Sequence, residues 1–121
     1  MERSILRSIR ALIGPSADYA AFDNQLIMYI NSVLAILRQI GIGNETFSIT
    51  GETETWDDLF DTEDDIDIEE VKIYIALRVR MLFDPPQSGT VAKHFEEEIK
   101  EHEWRLNIEG DDWPDIWGVE Q

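Results

Sequence analysis

Residues 71–86, VKIYIALRVRMLFDPP, form the densest apolar run in the chain, broken before Asp84 only by Lys72, Arg78 and Arg80. Val71, Ile73, Ile75, Leu77, Val79, Met81 and Phe83 alternate as a strand would, while Val71, Ile75, Val79 and Leu82 mark one face of a helix. Length decides between them. Strands usually stop after about 5–6 residues, whereas this run gives several helical turns. A helix apolar on nearly all sides belongs in the middle of a core. Asp84-Pro85-Pro86 stops it, because proline lacks an amide donor and steers the preceding residue away from the α region. The fold follows as mostly all-α, built around a central helix.

Working outward, Asp65 or Asp67 caps this helix, and Glu69 and Glu70 suit its positive N-terminal end. After Pro86, Ser88 caps a last helix running to Asn107, with Val91, Phe95, Ile99, His102 and Leu106 as an amphipathic stripe. Glu96–Lys100 and Glu101–Arg105 are i,i+4 pairs on its charged face. Towards the N-terminus, Ser4 to Ile13 reads as a short helix with Ile5, Ile9, Leu12 and Ile13 on one face, ended by Gly14-Pro15. Its Arg3, Arg7 and Arg10 read first as a solvated face, and alternatively as a basic side facing an acidic neighbour. A second helix begins with Asp23 as N-cap, carries Leu26, Ile27, Ile30, Val33, Leu34, Leu37 and Ile40, and places Gly41 as its C′ residue.

Between these helices, Phe47 to Gly51 has the alternation of a short strand or extended arm. From Glu52 to Glu70 there is no basic residue. Within that stretch Thr55 caps one helical turn, with Trp56 and Phe60 four apart, so the segment packs down locally rather than linking loosely. The architecture is a small bundle of about four helices with an extended arm, in a domain spanning 1–108, followed by an acidic tail, 109–121. Tail residues Trp113 and Trp117, around Pro114, either fold back or meet a partner.

The 121 residues suffice for one domain with a modest core. With 26 acidic and 10 basic residues, the net charge of −16 argues against attraction to nucleic acid or to an anionic membrane. It permits binding to a basic protein, mimicry of DNA, or a lining past which DNA slides. No cysteine is present, so disulfides and thiolate metal sites are excluded. Neither a signal peptide nor a membrane-spanning run is evident, and a soluble intracellular protein is expected.

Catalytic and metal motifs are weak. An EF-hand loop starting at Asp61 would put Ile66 where glycine is needed and Lys72 at the bidentate glutamate position. His94, Glu98 and His102 lie on one helix at i, i+4 and i+8, but no HExxH motif or second carboxylate-rich ligand helix accompanies them. Phosphate loops and nucleophile elbows are missing. The reading is of a non-enzyme without metal or other cofactor.

The blocks FDNQLIMYINSVLAILRQIGIG, FSITG followed by ETWDDLF, VKIYIALRVRMLFDPPQS and EEEIKEHEWRLN, in that order, resemble the head–tail connector (adaptor, or head-completion) proteins of long-tailed bacteriophages. The resemblance runs from about Ile5 to Asn107. It is most specific at Leu77 to Pro86 and at Glu103-Trp104-Arg105. It implies a structural virion protein that assembles as a ring, normally of twelve subunits, beneath the portal. Such a ring extends the DNA channel without sequence-specific DNA binding and presents a surface to the next head-completion or tail protein.

The implied place is the virion neck, reached through the host cytoplasm during assembly, with no membrane partner. On this reading Trp113, Pro114 and Trp117 reach the portal, and the loop with Phe47, Ile49, Trp56, Asp57, Asp58 and Phe60 faces the distal partner or the lumen. Arg3, Arg7, Arg10, Phe95, Trp104 and Arg105 lie between subunits. Two helices apolar on nearly all sides, more than a small monomer needs, agree with shared interfaces. The alternative is an acidic DNA mimic that inhibits a basic host protein, which explains the charge but not the LFDPP and EWRLN blocks.

Overall fold

The computed structural model describes residues 3–14, 20–43, 47–60 and 67–110. Five α-helices account for most of them: α1 (Ile5–Ile13), α2 (Asp23–Gln39), α3 (Trp56–Leu59), α4 (Ile68–Phe83) and α5 (Gly89–Gly110). A single 3-10 turn, Ala20–Phe22, leads into α2. Among the described residues there is no strand, and the one β-bridge joins Ser4 to Thr55. The all-α reading therefore holds, and 47–51 is an extended arm rather than a strand.

The stretch 71–86 is central as expected. Helix α4 touches α1, α2 and α5, and it begins about one turn earlier than the apolar run suggests. Asp67 is the cap: its carboxylate accepts from the Glu69 and Glu70 amides at 3.1 and 3.3 Å. Asp65 lies outside the described residues. At the other end Asp84 closes α4, its amide reaching the Arg80 carbonyl at 2.8 Å, before the two prolines. Val71, Tyr74, Ile75 and Val79 are fully buried, packed with Leu26, Ile30, Val33, Leu34 and Leu37 of α2. Each such side chain is worth about 1.5–3 kcal/mol of burial. The helix is not covered all round, however. Ile73, half a turn away from Ile75, is 43% exposed.

Two expectations are corrected by long-range packing. Asp23 is not the N-cap of α2; Phe22 holds that place without a side-chain bond, and the Asp23 carboxylate is taken by Arg10. In α1 the core-facing residues are Ile5, Leu6, Ile9 and Ile13, while Leu12 is 55% exposed. The stripe is turned towards Leu6 because α1 packs against both α2 and α4. The C-terminus of α2 is as expected. Gly41 has φ +87°, its amide bonds to Arg38, and the Ile42 amide bonds to Leu37 at 2.9 Å, which completes a Schellman turn and buries Ile42.

Helix α5 starts after Ser88, whose hydroxyl and carbonyl accept from the Val91 and Ala92 amides, and it runs to Gly110 rather than Asn107. Its expected stripe divides: Ile99, His102 and Leu106 are buried, whereas Val91 is exposed and Phe95 half-buried.

Candidate functional site

The basic side of α1 and the acidic segment after Gly51 meet within one chain. Arg3 pairs with Asp57 at 3.0 Å, Arg7 with Glu52 at 3.2 Å, and Arg10 with both Asp23 (2.9 Å) and Glu52 (2.8 Å). Hydrogen bonds from Arg10 and Arg7 hold the Glu52 carboxyl below its usual pKa. Burial works against the Arg10 charge, yet Glu52 and Asp23 more than offset it and raise its pKa. Backbone bonds follow the same seam, Ile5 N–H to Glu54 and Trp56 N–H to Arg3, both 3.1 Å.

The segment 47–60 is thereby strapped across α1 and α2. Asn31 clamps Ile49 at both backbone groups: its Oδ1 accepts from the Ile49 amide (2.8 Å) and its Nδ2 donates to the Ile49 carbonyl (3.0 Å). Arg38 donates to the Phe47 carbonyl. Thr55 and Asp58 form a reciprocal capping box on α3, and Trp56 Nε1 donates to the buried Ser8 hydroxyl at 3.0 Å. Of the residues assigned to a distal or luminal surface, Ile49, Trp56 and Phe60 are buried in the subunit's own core and Phe47 is half-buried. What this loop turns outward is Asp57 and Asp58.

A second polar cluster ties α4 to α5 through the EWR block. Glu103 Oε2 accepts from the Tyr74 hydroxyl (2.7 Å) and from Arg78 Nη2 (2.6 Å), and Arg78 Nε also reaches the Tyr74 oxygen (2.6 Å). Burial, reinforced by Glu103, raises the Tyr74 pKa, so this hydroxyl stays a donor. Arg105 pairs with Glu101 and lies 3.7 Å from Glu70; of the two i,i+4 pairs read from the sequence, this one closes. His102 Nδ1 contacts Glu70, and its Nε2 lies 3.6 Å from Glu98. Burial and then the Arg105 charge lower the His102 pKa, so the neutral ring donates to Glu70 near neutral pH. Glu103 thus faces a contact with α4, while Arg105 lies at the surface beside Glu101 and Trp104 between them is 47% exposed. Among the described residues no group of three or more His, Asp or Glu could hold a metal ion.

A further feature among the described residues is a groove of about 200 Å³ on the exposed face of α4. Ile73, Ala76, Leu77 and Arg80 line it together with Leu12 from α1 and Phe95 from α5. Arg80 sits over the Phe95 ring, 5.5 Å from its centroid, and donates to the Asp84 carbonyl. The sequence signal for this groove was the apolar excess of α4. Asn31 and the Tyr74–Arg78–Glu103 cluster carried no local signal. Trp113, Pro114 and Trp117 lie outside the described residues.

Among the described residues these features define a small all-α protein whose polar clusters hold helices together and whose surface carries an apolar groove. A family model described as phage connector protein matches residues 5–112, a span that includes all five helices. The chain belongs to the phage connector protein family. Searches of curated proteins and of solved structures gave no match. The family is structural rather than enzymatic, and membership makes the chain a structural connector component of the virion neck, a place where portal and tail proteins are met. No helix among the described residues is long and apolar enough to cross a membrane.

Proposed function

We propose that the chain is the adaptor subunit of a ring, normally twelve-fold, that docks under the portal, extends the DNA channel and offers the attachment surface for the next head-completion or tail protein. The observation that carries this reading is the family match across every helix of the described structure. The domain, 1–108, forms the body of the ring, and the tail, 109–121, reaches the portal through Trp113, Pro114 and Trp117.

Phe95, Trp104 and Arg105 on α5 lie towards neighbouring subunits. So does the edge of Arg3, Arg7 and Arg10, which together with their own carboxylate partners present a mixed-charge rim. Asp57 and Asp58 lead the 47–60 loop towards the lumen or the distal partner. A wall of carboxylates repels phosphate, so DNA passes without stalling.

The experiment is electron microscopy of the protein mixed with portal-bearing capsids of its own phage, beside the protein alone. A ring capping the portal vertex is the expected result. Capsids that stay bare while the protein remains monomeric would end this reading.

A further inference from the structure

Helix α2 is unusual for a chain this charged. Its exposed positions Asn24, Gln25, Met28, Ser32 and Gln39 carry no charge, and Met28 stands 60% exposed among them. Its two charged residues are used elsewhere: Asp23 is bonded to Arg10, and Arg38 to the Phe47 carbonyl. The exposed positions of α5, by contrast, include Lys93, Glu96, Glu97, Lys100 and Glu101. Depletion of charge is the compositional mark of an interface centre, and methionine is enriched there. With a net −16 on every copy, self-association needs surfaces that keep carboxylates apart.

The described residues offer two such surfaces, and they lie back to back. The inner face of α2, Leu26, Ile30, Val33 and Leu37, packs in the core with the buried face of α4. Met28 is about 200° round α2 from Leu26, and Ile73 is about 200° round α4 from Ile75. The charge-poor ridge of α2 and the apolar groove therefore point out of opposite sides of the subunit. One is convex and centred on Met28; the other is concave, its mouth formed by Leu12 and Ile73 and its end closed by Arg80 over Phe95.

We infer that the groove between α1, α4 and α5 receives the α2 ridge of a second copy of this chain, Met28 entering between Leu12, Ile73 and Phe95. Because the two patches differ, the contact is heterologous and propagates head to tail, closing when the rotation per subunit divides the circle. The inference rests on the ring reading and supplies the interface which that reading leaves open.

Met28→Arg and Ile73→Arg each change a solvent-exposed side chain, so both variants fold, as checked by circular dichroism and an unchanged urea midpoint. Each puts an arginine into one half of the contact and leaves the other half intact. Assembly is read by native mass spectrometry in solution and by microscopy on portal-bearing capsids, with the wild-type chain as reference. Either variant alone weakens subunit association about 30-fold or more, as loss of an interface anchor does. An equimolar mixture forms one-to-one heterodimers and nothing larger, because a single intact groove–ridge pair remains. Wild-type rings accompanied by unimpaired rings of either variant would overturn the inference, as would a mixture that stays monomeric. An Ile73→Arg ring that forms normally but no longer holds the capsid would assign the groove to the portal and equally overturn it. Failure of the wild type itself to form a ring anywhere would instead sink the ring reading on which the inference rests.

Discussion

Asn31→Ala tests whether the extended arm is held by one side chain. The Asn31 amide satisfies both backbone groups of Ile49, at 2.8 and 3.0 Å, as a neighbouring strand would. Those bonds place the Ile49 side chain, 2% exposed, in the core. Two lost hydrogen bonds cost about 0.5–1.5 kcal/mol each, and an enclosed amide and carbonyl left without partners add to that, giving roughly 2–4 kcal/mol in all. Against a typical total of about 5–15 kcal/mol this is a large fraction. Urea unfolding followed by circular dichroism gives the midpoint, and protease nicking within 47–54 reports on the arm itself. Asn31→Asp separates the two bonds: a carboxylate still accepts from the Ile49 amide but can only repel its carbonyl, so its cost is also substantial. Ser32→Ala, one residue on and exposed, serves as the control. In a double-mutant cycle, Asn31→Ala and Ile49→Ala cost less together than their sum, because the amide acts by positioning Ile49. An Asn31→Ala midpoint within about 0.5 kcal/mol of wild type, with the arm still protected, would refute the clamp.

Gly43 has φ +85°, and a Cβ there would stand 2.8 Å from Leu59 Cδ1, so Gly43→Ala lowers stability by about 1–3 kcal/mol in the same assay. At the α4–α5 seam, Tyr74→Phe costs about 1 kcal/mol because the Arg78–Glu103 pair survives it, whereas Glu103→Leu strands both partners and costs about 3 kcal/mol or more; equal effects would dissolve the cluster argument. Glu52 and Glu54 have pKa values lowered below 4.5, Glu52 by its arginines, Glu54 because bonds from Thr50 and Gly51 outweigh burial. Their stabilisation is therefore complete above about pH 4.5 and lost as pH falls through the folded-state values, and Glu52→Gln flattens that acid limb of the urea-midpoint profile. Assembly into the proposed ring should strengthen as salt rises from about 0.05 to 0.3 M, since screening relieves repulsion between subunits; an acidic decoy gripping a basic protein would weaken over the same range.

The helices were legible because each carries local signals: the apolar run and double proline of α4, Gly14-Pro15 after α1, Ser88 as a cap, Gly41 at its turn, Thr55 before Trp56. What stayed hidden depends on residues far apart in the chain. Asp23 has the right identity for a cap, but Arg10, thirteen positions away, claims its carboxylate. Leu12 fits the periodicity of α1 as well as Leu6 does, and only the placement of α1 against α2 and α4 decides between them. His94, Glu98 and His102 share a helix face by spacing, yet His102 is turned to Glu70 on α4, a partner 32 residues away. The arginines of α1 carry a solvated-face pattern, while their carboxylate partners Glu52 and Asp57 come from beyond the whole of α2.

That last pairing bears on the proposed place of so acidic a protein around a DNA passage. Arg3, Arg7, Arg10, Lys72, Arg78 and Arg105 all form ion pairs within the chain, and Arg38 and Arg80 are bonded to its carbonyls. The cations stitch helices and the arm together, and none of these bonds calls for a nucleic-acid partner. The carboxylates outnumber them, so the excess is displayed outward, as at Glu96 and Glu97. A surface of that sign offers phosphate no foothold, which suits a passage and not a grip. It also forbids like copies from meeting just anywhere. Among the described residues the ridge of α2 and the groove on α4 are where the charge gives way, so in the proposed contact the repulsion of the negative surface around them would steer copies there.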